Sequence, residues 1–274
     1  MSSQHAHFQR VYKLLHRMDW IDRGDDGDFT SYSSRQVESL FELLDLCDDT
    51  EQDLLFNLLD RFLRVRQHRY GELIKNASRS MPESWWVGCT ETIVVSANLL
   101  EKKVKSGSYV GYPMQDPSLD LPFPSASGQY TVLASVEDLA RYRARKNTFI
   151  LFVDDYSGTG DTVCKALSHY QTIANDCDSV AIMVLVAHET ALARVKAMGL
   201  NIACAISRKR GISDFYQGLK LDQTLDAMRR LESKLGVSEK YSFGYGKTEG
   251  LEQMVRTPNN TFPVFLAKIW LDCA

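Results

Sequence analysis

No apolar run in this 274-residue sequence approaches the roughly 18 residues that a membrane-crossing helix needs, so a helical span is not expected. An excess of either charge is missing too. With 32 basic and 35 acidic residues the net charge is −3, too weak to draw the chain onto nucleic acid or an anionic lipid surface. An anion site must therefore be built locally. The six cysteines (Cys47, Cys89, Cys164, Cys177, Cys204, Cys273) offer no pair at metal-ligand spacing, and among the histidines only His5 and His7 form a doublet, so no structural zinc is expected. No secretory signal precedes the first helical pattern, which makes a reducing, cytoplasmic setting the expectation. Internal repeats and low-complexity tracts are absent. Trp85-Trp86 has no basic residues interleaved with it, so it reads as packing, and no direct nucleic-acid surface is expected.

What is present first is helical periodicity. Over residues 8–70, Val11, Leu14, Leu15 and Met18, then Val37, Leu40, Phe41, Leu43 and Leu44, then Leu54, Leu55, Leu58, Leu59, Phe62 and Leu63 recur with the spacing of one helix face. Ser33 or Ser34 is predicted to cap the second helix and Asp48 or Asp49 the third, since their oxygens can accept from free amides at a helix start. Residues 22–28 have the aspartate density of a calcium loop. Gly24 stands at its third position and Ser33 at its twelfth, where ligands are required, so a solvated turn is predicted. Residues 1–80 are thus read as a helical N-terminal section.

From residue 81 to 274 the chain is predicted to be an α/β domain. A β-branched strand over 92–98 leads to the basic run Lys102, Lys103 and Lys105. Pro113, Pro117, Pro122 and Pro124 then predict an irregular insertion at about 109–128, because proline fixes φ and removes a donor. Beyond Tyr130 strands alternate with helices. Phe149-Ile-Leu-Phe-Val153 is the continuous apolar run of a strand buried on both faces. A helix over 161–174, a strand over 179–187, a helix over 188–198 closed by Gly199 and a strand over 200–206 follow. This alternation predicts a parallel sheet. An amphipathic helix over 221–235 and a Gly-Tyr-Gly turn at 244–246 lie in a less regular C-terminal region.

The segment Asp154-Asp155-Tyr156-Ser157-Gly158-Thr159-Gly160-Asp161-Thr162 leaves the carboxyl end of the buried strand and opens a helix, the place where open α/β sheets bind ligands. Ser157, Gly158 and Gly160 are small enough to let backbone amides approach a ligand. The hydroxyls of Ser157, Thr159 and Thr162 add donors, and the helix start favours a phosphate. The two carboxylates can hold vicinal hydroxyls of a sugar on the same ligand, directly or through a divalent cation. The segment lacks both the Gly-Lys-[Ser/Thr] ending of a Walker loop and Gly-x-Gly-x-x-Gly spacing.

Apolar strand, two acids, three residues, Thr-Gly, one residue and Thr: in this pattern the segment resembles the phosphoribosyl-diphosphate motif of type I phosphoribosyltransferases, and the order of strands and helices over about 130–206 resembles theirs as well. The resemblance implies a parallel-sheet core with a C-terminal hood. Tyr156 to Thr162 would hold the 5-phosphate of phosphoribosyl diphosphate or a nucleotide. Asp154 and Asp155 would act on the ribose hydroxyls as the catalytic acidic pair and hold Mg2+, through water or directly. Some purine enzymes of the family carry an acid where this chain has Gly158, so base protonation by the loop is not expected.

Lys105-Ser106-Gly107-Ser108 is the candidate diphosphate loop; the same lysine run would also suit the negative end of a helix dipole. Arg208, Lys209, Arg210 and Asp214 are candidate base or diphosphate contacts, and equally a charged surface turn. His188, after a strand, suits a cap, a packed side chain or an acid-base group. Asn259, Asn260 and Thr261 suit pocket closure or turn capping. The order of these motifs, with Trp20 in the helical front end and the Thr-Pro-Asn-Asn-Thr ending, is similar to bacterial defence-associated, retron-linked phosphoribosyltransferase-like proteins. That likeness implies a glycosyltransferase acting on a nitrogenous acceptor as an antiphage effector. The N-terminal helices would then bind a regulatory protein or ribonucleoprotein. A catalytically silent sensor of the same ligand is the alternative.

Overall fold

The computed structural model describes residues 10, 11, 13, 14, 31–99, 106–125, 127–142, 147–172 and 179–267, with the backbone alone over 31–37 and at 267. Trp20, residues 22–28, Lys102, Lys103, Lys105, Cys177 and Cys273 lie outside the described residues. Two compact units form: residues 66–209, which carry the main sheet, and residues 1–65 together with 210–274. Residues 66–80 therefore belong with the sheet, and 210–274 with the N-terminal helices.

The helical unit opens with α1 (Ser31–Asp45), α2 (Asp49–Leu59) and the short strand β1 (Leu63–Arg64). Helix α1 begins at Ser31, so Ser33 and Ser34 lie inside it and do not cap it. Asp48 does cap α2: its carboxylate accepts from the Glu51 amide at 2.8 Å while Glu51 accepts from the Asp48 amide at 3.0 Å, a reciprocal arrangement that satisfies two orphan donors.

The sheet unit runs α3 (Tyr70–Arg79), β2 (Glu91–Ser96), α4 (Ser106–Gly111), β3 (Thr131–Leu133), α5 (Val136–Arg141), β4 (Thr148–Ser157), α6 (Asp161–Gln171), β5 (Ser179–His188), α7 (Glu189–Ala197) and β6 (Asn201–Arg208). All five strands are parallel, in the order β3-β2-β4-β5-β6. The expected parallel α/β core is thus present. Every residue of β4 is buried, and each large apolar side chain in it contributes about 1.5–3 kcal/mol by leaving water. Ile150 and Phe152 share one face with Val163, Leu167 and Val195 of α6 and α7. Over the other face α4 packs on β2 and β4 and α3 on β5 and β6, with Trp86 and Phe123 against Phe149. Edge strand β3 was not foreseen: three half-buried residues carry too little periodicity.

The segment at 109–128 is less irregular than expected. Helix α4 runs to Gly111, and 3-10 turns at Tyr112–Gln115 and Pro117–Leu119 each start with proline in the first turn, where its missing N–H has no helical partner to lose. Ser106, Gly107 and Ser108, predicted as a loop, open α4. A Cβ on Gly107 would lie 2.8 Å from the Val153 carbonyl oxygen and 3.1 Å from Ser96 Cβ, so only glycine lets this helix sit on the strand ends.

Helix α8 (Gly218–Lys234), strand β7 (Glu252–Gln253) and helix α9 (Pro263–Ala267) complete the helical unit, with β7 parallel to β1. Leu40, Leu43, Leu55, Leu58, Met228, Leu231, Phe262 and Phe265 form its core. Three of its buried glutamates pin it. Glu51 meets Lys234 at 2.5 Å; Glu232 accepts from Ser242 Oγ at 2.6 Å and the Phe243 amide at 2.9 Å; Glu249 accepts from the Ile212 and Ser213 amides, each at 2.7 Å, and from Ser213 Oγ. Asn260 Nδ2 donates to the Tyr245 carbonyl and Thr261 Oγ1 to the Glu252 carbonyl, so both residues have hydrogen-bonding roles inside this unit. Replacing Glu249 by Ala orphans three donors, each costing about 1–3 kcal/mol when buried. Urea unfolding should show a loss of at least about 2 kcal/mol by that reckoning, whereas an unchanged midpoint would show that the pin is unimportant.

Candidate functional site

The chain crosses from β3 at one edge back past β2 to reach β4, so the connections diverge between β2 and β4. Their carboxyl ends are the topological switch point, where such sheets bind ligands. The acidic pair lies there, one residue beyond the Ser96–Val153 pairing.

Asp154 and Asp155 are buried, at 6% and 2% exposure. Ser106 Oγ donates to Asp154 Oδ1 at 2.6 Å, the Asp155 amide donates to the same oxygen at 3.0 Å, and Tyr70 Oη donates to Asp155 Oδ2 at 3.0 Å. Burial, then repulsion by Asp155, pushes the Asp154 carboxyl up to about 8 against the relief of the Ser106 bond. Burial likewise raises Asp155, opposed by the nearby Ser106 and Tyr70 hydroxyls. Both carboxyls therefore hold their protons to higher pH than ordinary carboxylic acids do. Tyr70 was not identified from sequence: it is 85 positions away, and within a helical pattern it reads as an ordinary core aromatic.

Beyond the pair, Tyr156 is buried with its ring edge-on to His188 at 5.9 Å. His188 is buried and precedes α7 without a side-chain cap, so the capping role considered for it is not seen. Ser157, Gly158 and Gly160 are buried, Thr159 and Asp161 are half-buried and Thr162 is exposed. Gly160 has φ +79° at the N-cap of α6, a left-handed conformation that a side chain makes costly. Thr159 Oγ1 accepts from the Asp161 amide at 3.2 Å. Helix α7 braces the loop: Arg194 Nη1 donates to the Thr159 carbonyl at 3.1 Å and to Asp161 Oδ1 at 2.5 Å.

The candidate contacts after β6 separate. Arg208 pairs in register with His188 at the carboxyl end of the sheet, next to Lys209. Arg210 and Asp214 belong to the helical unit and hold each other: Arg210 donates from Nε at 3.0 Å, from Nη2 at 2.8 Å and from its amide at 2.8 Å. Ser106 is committed to Asp154, and Gly107 to close packing.

With this geometry the family match is informative: residues 45–270 match the PRTase-CE family. The chain belongs to the PRTase-CE family. Its fold is therefore that of type I phosphoribosyltransferase-like proteins. No curated protein matches it. Among solved structures it is similar to orotate phosphoribosyltransferase from Mycobacterium tuberculosis H37Rv in complex with 5-phospho-alpha-D-ribosyl 1-diphosphate, at 14% identity over 72% of this chain and 95% of that one, TM-score 0.31. The Aeropyrum pernix orotate enzyme gives 13% over 82% and 99%, TM-score 0.33. Hypoxanthine-guanine phosphoribosyltransferase from Schistosoma mansoni in complex with IMP gives 14% over 53% and 68%, TM-score 0.32. At this distance these likenesses carry no weight beside the family match.

The raised acidic pair gives stability a definite pH dependence. A carboxyl whose pKa rises on folding contributes stability that is whole below its unfolded value and is lost as pH rises through the folded value, here about 8 for Asp154. Thermal midpoints of the ligand-free protein should fall between pH 6 and pH 9, and the fall should be much smaller in Asp154→Asn. Equal slopes in the two proteins would refute the raised pKa of the buried Asp154. Tyr70→Phe should cost about 1–3 kcal/mol in urea unfolding, as expected for loss of a buried bond to an acidic group; a neutral result would remove Tyr70 from the network.

Proposed function

We propose that this PRTase-CE protein binds phosphoribosyl diphosphate or a nucleotide and transfers the ribosyl phosphate group to or from a nitrogenous acceptor. The 5-phosphate would sit on residues 156–162 and the ribose diol on Asp154 and Asp155. One observation carries the reading: two buried carboxylates at the switch point already accept from two hydroxyls, those of Ser106 and Tyr70, in the way they would accept from a vicinal diol. A ligand would replace these donors by exchange. Because C1 develops positive charge as its bond to the leaving group breaks, the adjacent carboxylates would favour the transition state electrostatically. Ser106 to Ser108, with Lys105, Arg208 and Lys209, remain the proposed diphosphate and base contacts.

Among the described residues no group of three or more His, Cys, Asp or Glu side chains could hold a metal. Two adjacent carboxylates nevertheless fit Mg2+, which is commonly held by one or two carboxylates with substrate oxygens and waters. When bound it would neutralise charge on the leaving diphosphate. The ionised carboxylates are the form that would hold a cation, so ligand affinity should rise with pH through the raised Asp154 value.

The alternative of a silent sensor draws on Gly158, which leaves the loop without an acid beside the base. The effector role, a regulatory partner on the N-terminal helices and a cytoplasmic setting belong to the proposal too. No helix of the described residues is long and apolar enough to cross a membrane.

Calorimetry with Mg2+ and phosphoribosyl diphosphate should give binding that Asp154→Asn with Asp155→Asn abolishes while circular dichroism stays native. Diphosphate release, followed by phosphorus NMR across a panel of nitrogenous acceptors, would mark an enzyme; binding without release would favour the sensor. Unchanged binding in the double variant refutes the site. If the chain is an effector, its overexpression should arrest growth only when both aspartates are intact.

A further inference from the structure

Asp161 is out of keeping with an anion cradle. A carboxylate in the first turn of a helix complements the helix dipole, but beside a phosphate it would repel the ligand that the same amides attract. Arg194 answers the conflict. It stands on α7, and its guanidinium bridges the Asp161 carboxylate, at 2.5 Å, and the Thr159 carbonyl, at 3.1 Å. Its side chain is half exposed, and Asp161 and Arg194 both line a cleft of about 440 Å3 that also takes in Lys165 and His169. Both bonds use Nη1, and a guanidinium has five N–H donors in a planar fork, so hydrogens on Nε and Nη2 are left over. The backbone agrees: Gly160 packs on α7 beside the Ala191 carbonyl and Val195, so this helix props the loop from behind.

We propose that Arg194 is a positioning residue of the phosphate site. Held by the Thr159 carbonyl, it cancels the charge of Asp161 and so makes the loop competent for a doubly charged phosphate monoester. The proposal rests on the phosphate loop assigned above. It implies a preference for a terminal phosphate over an uncharged group at the same carbon, a preference set jointly by Arg194 and Asp161.

Ribose 5-phosphate, titrated calorimetrically into the full chain, is the probe. Arg194→Ala should weaken its binding by roughly tenfold, the scale of Coulomb repulsion between a dianion and one half-buried carboxylate a few ångströms away. Its thermal midpoint should barely change, since exposed ion pairs stabilise little. Adding Asp161→Asn to Arg194→Ala should restore most of the lost affinity. A merely structural brace through the Thr159 carbonyl would not be rescued in this way. Undiminished binding by Arg194→Ala, or a double variant as weak as the single one, overturns the role of Arg194 and leaves the loop assignment standing. Failure of the wild-type chain to bind ribose 5-phosphate overturns both.

Discussion

The buried acidic pair at the end of β4 is the constraint around which the sheet unit is organised. Two adjacent carboxyl groups shielded from water are costly to hold in the charged form. They persist because hydroxyls come to them from two separate elements, Ser106 at the start of α4 and Tyr70 at the start of α3. Each element is fixed for its own reasons. Helix α4 can approach the strand ends only because residue 107 has no side chain, and Tyr70 is itself fully enclosed.

The cost and the proposed chemistry share one origin. Carboxylates desolvated enough to keep a proton near neutral pH are also carboxylates whose field is little screened. A diol and a cation arriving together would find strong acceptors there and would release the proton. The loop beyond the pair divides the labour: left-handed Gly160 turns the chain into α6, Thr159 ties the first helical amide, and α7 braces the turn from the neighbouring strand connection.

Much of this was legible in the sequence where local physics dictates structure. The apolar run Phe149 to Val153 is a strand on any reading, and the Thr-Gly pair marks the turn into a helix that begins at Asp161. The partners of the acids were not legible, because Tyr70 and Ser106 meet them only through tertiary packing and their own neighbourhoods read as ordinary helix and loop. The C-terminal region hid its organisation for a related reason. Its order comes from glutamates buried against distant amides, and from left-handed backbone at Phe243, Lys247 and Glu249, which no periodicity reveals. Gly107 shows how one residue admits two readings: glycine in a presumed ligand loop turned out to have a packing reason as well.

The central claim is that the pair exchanges protein hydroxyls for those of a pentose. A crystal soaked with ribose 5-phosphate and Mg2+ addresses it directly. The account predicts phosphate density over residues 157–162, with the sugar diol on Asp154 and Asp155 and the Ser106 and Tyr70 hydroxyls moved off them. Ligand bound elsewhere, or a pair still holding both protein hydroxyls at full ligand occupancy, would contradict it.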